Sequence, residues 1–386
     1  MHQGWSPQCE KQPSRSEKVW GVLRTTSIQP GEFQPEHNKL LPSKLEPRPL
    51  LEVKPGDILI TCAGPRIRCG ISCLVENTRG RLMISGKMYR FRTRPDEVLP
   101  KYLVAFLQSE DAAIAIDGMK TGGSESGLNL THERFRQLLV PIGPLAEQQR
   151  IVGLLDEAFE GLATAKANAE KNLQNARALF ESHLQSVFTQ RGPGWVEKRF
   201  DEVCAITSTL VDPRKKEFLD LIHVGAGNIE SKTGVFVDLK TAREEGLISG
   251  KFLFDESMVL YSKIRPYLMK VARPDFEGLC SADMYPLSPI QNVVTRDYLF
   301  HLLLSKHFTD YAIQGSARAG MPKVNREHLF EFRVWLPDVK KQKQLAAKLD
   351  DLREETQLLA RLYERKHAAL EALKKSLLHQ AFIGEL

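Results

Sequence analysis

Apolar side chains recur at alternating spacings of four and three along two long stretches of the chain. In the first they fall at Ile151, Leu155, Ala158, Leu162, Ala165 and Ala169. In the second the alternation runs through Leu345, Leu349, Leu352, Thr356, Leu359, Tyr363, Lys366, Leu370, Leu373 and Leu377, with Thr356 and Lys366 as polar interruptions. This is the spacing of a coiled-coil seam. Neither stretch contains a proline, and each predicts a helix, over 145–188 and 339–382, that would be a rod of roughly 66 Å at about 1.5 Å per residue. Such a helix buries its seam only against a partner. Small residues dominate the first seam and large ones the second, so the two helices are expected to pack on each other; the alternative is two independent helices, each folded back on its own globular part.

Outside these stretches the pattern is mixed. The residues Ile58-Leu59-Ile60-Thr61 and the alternating segment 85–92 predict strands, followed by a helix from 101 to about 116. Farther along, Met258-Val259-Leu260-Tyr261 and Asp283-Met284-Tyr285-Pro286-Leu287 predict strands, followed by a helix from 296 to about 313. A glycine-rich loop comes after each helix, at 122–127 and 315–320.

The two series are one module written twice. Residues 145–188 match 339–382 without a gap at an offset of 194, with identities at Gln148, Leu155, Asp156, Glu160, Glu170, Ala178, Leu179, Ser182, Leu184 and Phe188. Upstream, Ser85, Met88, Tyr89, Tyr102, Leu103, Leu107 and Ser109 match Ser281, Met284, Tyr285, Tyr298, Leu299, Leu303 and Ser305 at an offset of 196. The period is too long for a solenoid and implies two similar domains. Before Ser85 the halves share little, so each module has a variable N-terminal part and a constant helical C-terminal part.

A length of 386 residues accommodates two globular parts with helical appendages. The formal charge of +6 permits a polyanionic partner without requiring one, and the cations are spread along the chain rather than clustered. The six cysteines form no CxxC pair, and the reading is of reduced thiols in a cytosol; Cys62, Cys69 and Cys73 lack a following His/Cys pair at zinc-finger spacing. No apolar run approaches the roughly 18 residues of a membrane span, and no signal-peptide core follows Met1.

Candidate phosphate- and base-contacting residues come from the loops and the basic inventory. Lys120, Ser124, Ser126 and Asn129 belong to the first loop region, and Ser316, Arg318, Lys323 and Asn325 to the second; the motive is their equivalent place in the two repeats. Arg66, Arg68, Lys87, Arg90, Arg92 and Arg94 add to the first part, and Lys263, Arg265, Lys270 and Arg273 to the second. The alternation over 87–92 predicts one exposed cationic strand face.

Enzymatic signatures are missing. There is no GxxxxGK[ST] phosphate loop, and in His223-Val224-Gly225-Ala226-Gly227-Asn228 the third glycine of a dinucleotide fingerprint is replaced by Glu230. No Asn-Pro-Pro-Tyr or Asp-Pro-Pro-Tyr string occurs, and Pro274-Asp275 and Pro337-Asp338 lack the second acidic strand of a nuclease motif. No catalytic and no metal-binding residue is assigned.

A duplicated glycine-rich loop, a Pro-x-x-x-Gln entry, a long helix and a terminal Phe together closely resemble the specificity subunit of type I restriction-modification systems. The entry strings are Pro144-Leu145-Ala146-Glu147-Gln148-Gln149-Arg150-Ile151-Val152 and, more loosely, Pro337-Asp338-Val339-Lys340-Lys341-Gln342-Lys343-Gln344-Leu345. Lys54-Pro55-Gly56-Asp57-Ile58-Leu59-Ile60-Thr61 and residues 195–206, which look like the opening of a target-recognition domain, extend the resemblance over essentially the whole chain. Nothing before Trp20 matches that opening, so the first domain is expected to start late, as a family variant or by truncation.

The resemblance implies an α+β fold: two mixed α/β target-recognition domains joined by two long antiparallel coiled-coil helices, with an internal two-fold pseudo-repeat. The expected divisions are 1–143 and 191–336 for the recognition domains, and 144–190 and 337–386 for the spacer helices. Ile151, Leu155, Leu162, Leu345, Leu349, Leu352 and Leu359 would form the seam. Implied partners are double-stranded DNA, two methyltransferase subunits and the restriction/translocase subunits, with no membrane, in a bacterial or archaeal cytoplasm. No cofactor is expected on this chain; S-adenosylmethionine belongs to the methyltransferase subunit, and ATP and Mg to the restriction subunit. The competing readings are a stand-alone DNA-binding protein, a coiled-coil scaffold that binds protein without touching DNA, and an enzyme with an unrecognised site.

Overall fold

The computed structural model describes residues 1–316 and 322–386. The two stretches of heptad-like spacing are continuous helices, Leu145–Thr189 and Val339–Ile383, each of 45 residues. The chain divides into two units, of which the first comprises 1–169 and 365–386 and the second 170–364. Each unit therefore holds one globular part, the start of one long helix and the end of the other. The unit boundaries fall within the helices and not at their junctions with the globular parts.

Within each unit the two helix segments run antiparallel. In the first, Arg150 donates to the Leu386 carbonyl at 2.5 Å and Lys166 pairs with Glu371 at 2.6 Å, so ascending positions on one helix meet descending positions on the other. In the second, Arg177 pairs with Glu364 at 2.9 Å, while Leu184 shares a core with Ala346 and Leu349. Ile151, Leu155 and Leu349 are buried, and Leu162, Leu345 and Leu352 are half-buried. Leu359 departs from the expected seam: it is 40% exposed, and the neighbouring Ala360 turns inward instead. A helix of 3.6 residues per turn drifts by about 20° per heptad against a strict seven-residue repeat, so over the two heptads from Leu345 to Leu359 the buried face turns by about 40°, toward Ala360.

The helices are docked to the globular parts by the same residues in both units. Gln148 and Gln342 are fully buried. The Gln148 carboxamide accepts from the Leu99 amide at 2.9 Å and donates to the carbonyls of Glu97 and Gly143, both at 2.9 Å. The Gln342 carboxamide repeats this, accepting from the Thr295 amide at 2.9 Å and donating to Val293 at 2.8 Å and Pro337 at 2.9 Å. The far ends dock through aromatic pairs: Phe382 lies edge-on to Tyr102 with ring centroids 5.2 Å apart, and Phe188 lies against Tyr298 at 5.0 Å. Leu155 and Leu378 join Tyr102 in one core, as Leu349 and Leu184 join Tyr298 in the other.

A carboxylate at the repeat-equivalent positions 156 and 350 completes each docking. Asp156 meets Lys101 at 2.9 Å; Asp350 meets Arg273 at 2.7 Å and His301 at 3.0 Å. Arg273 thus serves as a structural tie, with its guanidinium stacked 4.3 Å from the Phe300 ring centroid.

The globular parts share a central antiparallel strand pair. In unit 1, Ile58–Thr61 pairs with Met88–Phe91, flanked by His2–Gln3 and Ser72–Leu74. In unit 2, Val259–Ser262 pairs with Met284–Pro289, flanked by Cys204–Ala205 and Val271–Ala272. Each single helix expected after these strands is instead two, Pro100–Leu107 with Glu110–Met119 and Arg296–Leu304 with Lys306–Gln314. The break falls at the repeated Ser109 and Ser305, whose hydroxyls accept from the amides of Ala112 and Phe308 and start the second helix.

The modules differ at one edge. The opening strand Val196–Arg199 of unit 2 pairs with Arg333–Leu336. Residues 139–142, the counterpart in unit 1, form no strand among the described residues, leaving Leu139 88% and Ile142 58% exposed.

Two outcomes are expected. Replacing Gln148 or Gln342 by Leu strands one amide and two carbonyls in a buried site and should lower stability by about 2–4 kcal/mol in urea unfolding; a loss below 1 kcal/mol at both sites would contradict the docking role. The second concerns pH. Burial pushes the His301 pKa below its ordinary value, against the opposing pull of Asp350. For Asp350 burial acts upward, but the hydrogen bonds from His301 and Arg273 outweigh it and hold the carboxyl well below the usual range. Both folded-state values lie below the unfolded ones, so both contributions are present at higher pH and are lost on acidification, from about pH 6.5 for His301 and from about pH 4 for Asp350. The thermal midpoint should fall between pH 7 and 5, and His301→Gln should flatten that fall; an equally steep profile in the variant would exclude His301 as its source.

Candidate nucleic-acid interface

The repeated Ser, Met and Tyr residues build a backbone frame at one end of the central strand pair, and the frame is duplicated bond for bond. In unit 1 the Met88 amide closes a turn on the Ser85 carbonyl at 3.0 Å, and the Lys87 carbonyl inside that turn accepts from the Cys62 amide at 2.8 Å. The Cys62 carbonyl accepts from the Leu130 amide at 2.8 Å, and Tyr89 Oη donates to the Leu130 carbonyl at 3.0 Å. In unit 2 Met284 closes on Ser281 at 2.8 Å, the Asp283 carbonyl accepts from Lys263 at 3.0 Å, the Lys263 carbonyl accepts from Val324 at 2.8 Å, and Tyr285 Oη donates to Val324 at 3.1 Å. Met88 and Met284 are fully buried beneath the turns. The strand expected over 85–92 therefore begins only at Met88, and Lys87 projects from a turn.

The segment after each glycine-rich loop completes the frame. In unit 1, Lys120–Thr121, Leu128–Leu130 and Ala63–Gly64 form a small sheet in which Asn129 lies opposite Ala63. In unit 2, Lys323 bridges Ile264. A helix follows in each, His132–Phe135 capped by Thr131 and Arg326–Glu331 capped by Asn325.

Many of the expected cations are committed to the protein's own backbone or carboxylates. Arg68 donates to the carbonyls of Thr25 and Ile28 and to Gln29 Oε1, fixing a distant segment. Arg90 donates to the carbonyls of Leu50 and Glu52, and Arg92 meets Asp57 at 2.8 Å. The cationic strand face expected over 87–92 is thus a set of internal ties. Lys120 is nearly buried against Asp117 and the Arg66 carbonyl, and Arg66 is exposed but bridges Asp117 and Glu125. Lys270 donates to the Ala226 carbonyl.

Two polar assignments are corrected by their surroundings. Ser316 is buried, its hydroxyl donating to the Ile313 carbonyl at 2.8 Å. Asn325 Oδ1 accepts from the His328 amide at 2.7 Å as a helix cap, so its counterpart in the repeat is Thr131 and not Asn129. Arg318 lies outside the described residues.

Apart from Arg66 and the cap residue Asn325, which are also exposed, the candidates that face outward include Lys87, Ser124, Ser126, Asn129, Arg265 and Lys323. Ser124 and Ser126 have their hydroxyls 3.3 Å apart, and Arg265 takes a left-handed backbone conformation at φ 50° while its amide donates to Pro322. Lys263 is half-buried, with Nζ 5.3 Å from the Tyr285 ring centroid and 3.8 Å from Asp283, which also lies 3.7 Å from Lys323. Burial, helped by the charge of Lys323, pushes the Lys263 pKa down, with Asp283 opposing. Asp283 was not legible as a site residue; the signal for it is its repeat equivalence to Lys87.

No group of three or more His, Cys, Asp or Glu residues suited to a metal is present among the described residues. Cys62, Cys69 and Cys73 are buried, and burial raises the thiol of Cys62 to about 11 and that of Cys73 to about 12. No helix among the described residues is long and apolar enough to cross a membrane.

Residues 193–365 match the model of the type I restriction modification DNA specificity domain. The chain is 41% identical over 189 residues to the specificity subunit of the Escherichia coli type I restriction enzyme EcoEI, a match covering 49% of this chain and 31% of that protein. It is 31% identical over 276 residues to the EcoDI specificity subunit of Escherichia coli, covering 68% of this chain and 61% of the relative. The chain thus spans less than two thirds of the length of either relative. Among solved structures, a chain of a type I R-M system superposes with a TM-score of 0.74 at 18% identity, covering 98% of this chain and 96% of that one. The HsdS subunit from Thermoanaerobacter tengcongensis superposes at 0.57 and 19% identity, covering 98% and 95%. At these identities the likeness is one of fold.

Because Asn325 and Thr131 act as caps, Asn325→Ala and Thr131→Ala should each cost about 1 kcal/mol of stability and leave DNA affinity unchanged. Equilibrium unfolding and a duplex titration check this, and weakened DNA binding at full stability would restore Asn325 to the interface.

Proposed function

The chain belongs to the specificity subunits of type I restriction-modification systems, and on that premise we propose that it is the non-catalytic, sequence-specific DNA-recognition subunit of such a complex. The observation that carries this reading is the duplicated backbone frame, which presents different outward side chains in its two copies. Each globular part reads one half of a bipartite target. The paired helices set the spacing between half-sites and dock two methyltransferase subunits, to which the repeat offers two equivalent faces. The restriction/translocase subunits complete the assembly in a bacterial or archaeal cytoplasm. S-adenosylmethionine is carried by the methyltransferase subunit and ATP and Mg by the restriction subunit, so this chain contributes recognition and geometry.

The physical support is electrostatic and topological. A formal charge of +6 suits a polyanion, and the outward lysines Lys87 and Lys323 sit on a hydrogen-bonded turn and an isolated β-bridge, where backbone bonds limit the freedom lost on binding.

The full chain should bind random duplex at low salt, with the logarithm of affinity falling linearly as the logarithm of salt rises, by a slope of about 0.9 for each phosphate neutralised. In cells that express this chain together with the methyltransferase subunit of its system, long-read sequencing should find a bipartite motif with modified adenines that vanishes when this chain is deleted. No duplex binding at low salt, with a methylation map indifferent to the deletion, would favour a coiled-coil protein scaffold instead.

A further inference from the structure

The duplicated frame brings three positions of each module into register. The Ser-x-x-Met turns place Lys87 and Asp283 at the same third position. The strand residues whose amides reach those turn carbonyls are Cys62 and Lys263. The positions two residues before the helix caps are Asn129 and Lys323. The backbone bonds at these sites are the same in both modules, and the anchoring residues Ser, Met and Tyr are identical. What differs is the chemistry carried outward: Lys and Asn in one module, Asp and Lys in the other.

Lys87 and Asn129 are exposed, and no side-chain hydrogen bond occupies either among the described residues. Lys323 is exposed, and Asp283 has a side chain 48% accessible. A carboxylate facing a polyanion needs compensation, and Asp283 has it, lying 3.8 Å from Lys263 and 3.7 Å from Lys323. Lys263 also donates to the Ala282 carbonyl, which pins it beside the turn. Side chains that vary on an invariant, rigid frame are what a reader of two different half-sites requires.

We infer that these register-equivalent pairs, Lys87 with Asn129 and Asp283 with Lys323, are the base-reading positions of the two modules, a reading that rests on the proposed role in DNA recognition. The chemistry assigns the bases in the major groove. The Asn129 carboxamide has the donor and acceptor to pair with N7 and N6 of adenine, the Lys87 and Lys323 ammonium groups donate to O6 and N7 of guanine, and the Asp283 carboxylate accepts from N4 of cytosine. Lys263 is a positioning residue that holds Asp283 against the field of the phosphates. The first half-site therefore contains a guanine and an adenine, and the second a cytosine and a guanine, at the positions these side chains reach.

The test exchanges one position at a time in the full chain and selects bound sequences from a randomised duplex pool. Asn129→Lys should replace adenine by guanine at one position of one half-site, and Lys323→Asn should replace guanine by adenine at one position of the other. Each should weaken binding to the original sequence by about 10- to 100-fold. The truncations Asn129→Ser and Lys323→Met, with melting curves recorded for all four variants, should relax the same single positions without unfolding the protein. A selected sequence unchanged in folded variants, or an affinity loss equal for all sequences, would overturn the assignment and mark these residues as bystanders or phosphate contacts. If the unaltered chain enriches no sequence at all, the recognition role itself fails, and this assignment with it.

Discussion

The architecture depends on a pair of carboxamides held out of water. Gln148 and Gln342 each sit in the first turn of a long helix and join three backbone groups that belong to two different segments of a globular part. Only an amide side chain fits: glutamate would bring three acceptors together with no donor for the carbonyls, and methionine would leave all three groups unpaired. Apolar burial is non-directional, whereas three hydrogen bonds of 2.8–2.9 Å fix an orientation. In a helix of 45 residues, a small angular error at the first turn becomes a large displacement at the last. A buried polar staple at the root of each rod is the economical place to set its direction.

The same logic separates what is constant in the two modules from what varies. Several of the residues repeated between them, among them Met88, Tyr89, Tyr102, Ser109 and Gln148, have side chains that fill cores, cap helices or bond to backbone. Of the register-matched positions that differ between modules, Lys87 with Asp283 and Asn129 with Lys323 reach water, so their exchange leaves the frame unstrained, whereas Cys62, the counterpart of Lys263, is buried. Recognition is thereby uncoupled from stability, which is the condition for changing a target without rebuilding a fold.

How far this was legible in sequence follows from the range of each interaction. The two helices, their mutual packing and the duplication were readable because heptad spacing and identity at fixed offset are local or pairwise signals. The single helices expected after each strand pair were split, because a serine in a helical pattern gives no sign by itself that it caps a second helix. The fate of the arginines was not readable at all. Arg68 and Lys87 look alike in a basic stretch, yet Arg68 is drawn to carbonyls 40 and 43 residues away while Lys87 stands free in a turn. Asp283 carries the wrong charge to stand out as a DNA contact in sequence, and its equivalence to Lys87 in the folded frame is what exposes it. A strict seven-residue repeat places Leu359 in the seam, whereas helical drift turns the inward face toward Ala360.

The division of the chain also orders its folding. Unit 2 is one contiguous stretch, 170–364, so every contact that builds it is available once that stretch exists. Unit 1 takes its last helix segment, 365–386, from beyond the whole of unit 2. The contact of Phe382 with Tyr102 and the bond from Arg150 to Leu386 bridge more than 230 residues, whereas Phe188 reaches Tyr298 across 110. Loop-closure entropy rises only slowly with length, but a chain made in the N-to-C direction cannot close unit 1 until residues 365–386 appear. Until then Tyr102 and Leu155 lack the helix end that covers them, and the apolar face they share with Phe106 is open to water. The contiguous unit 2 can therefore close before unit 1, and once folded it fixes the start of the second helix through Gln342, so that 365–386 reaches unit 1 as part of a rod anchored at its root instead of as a free chain.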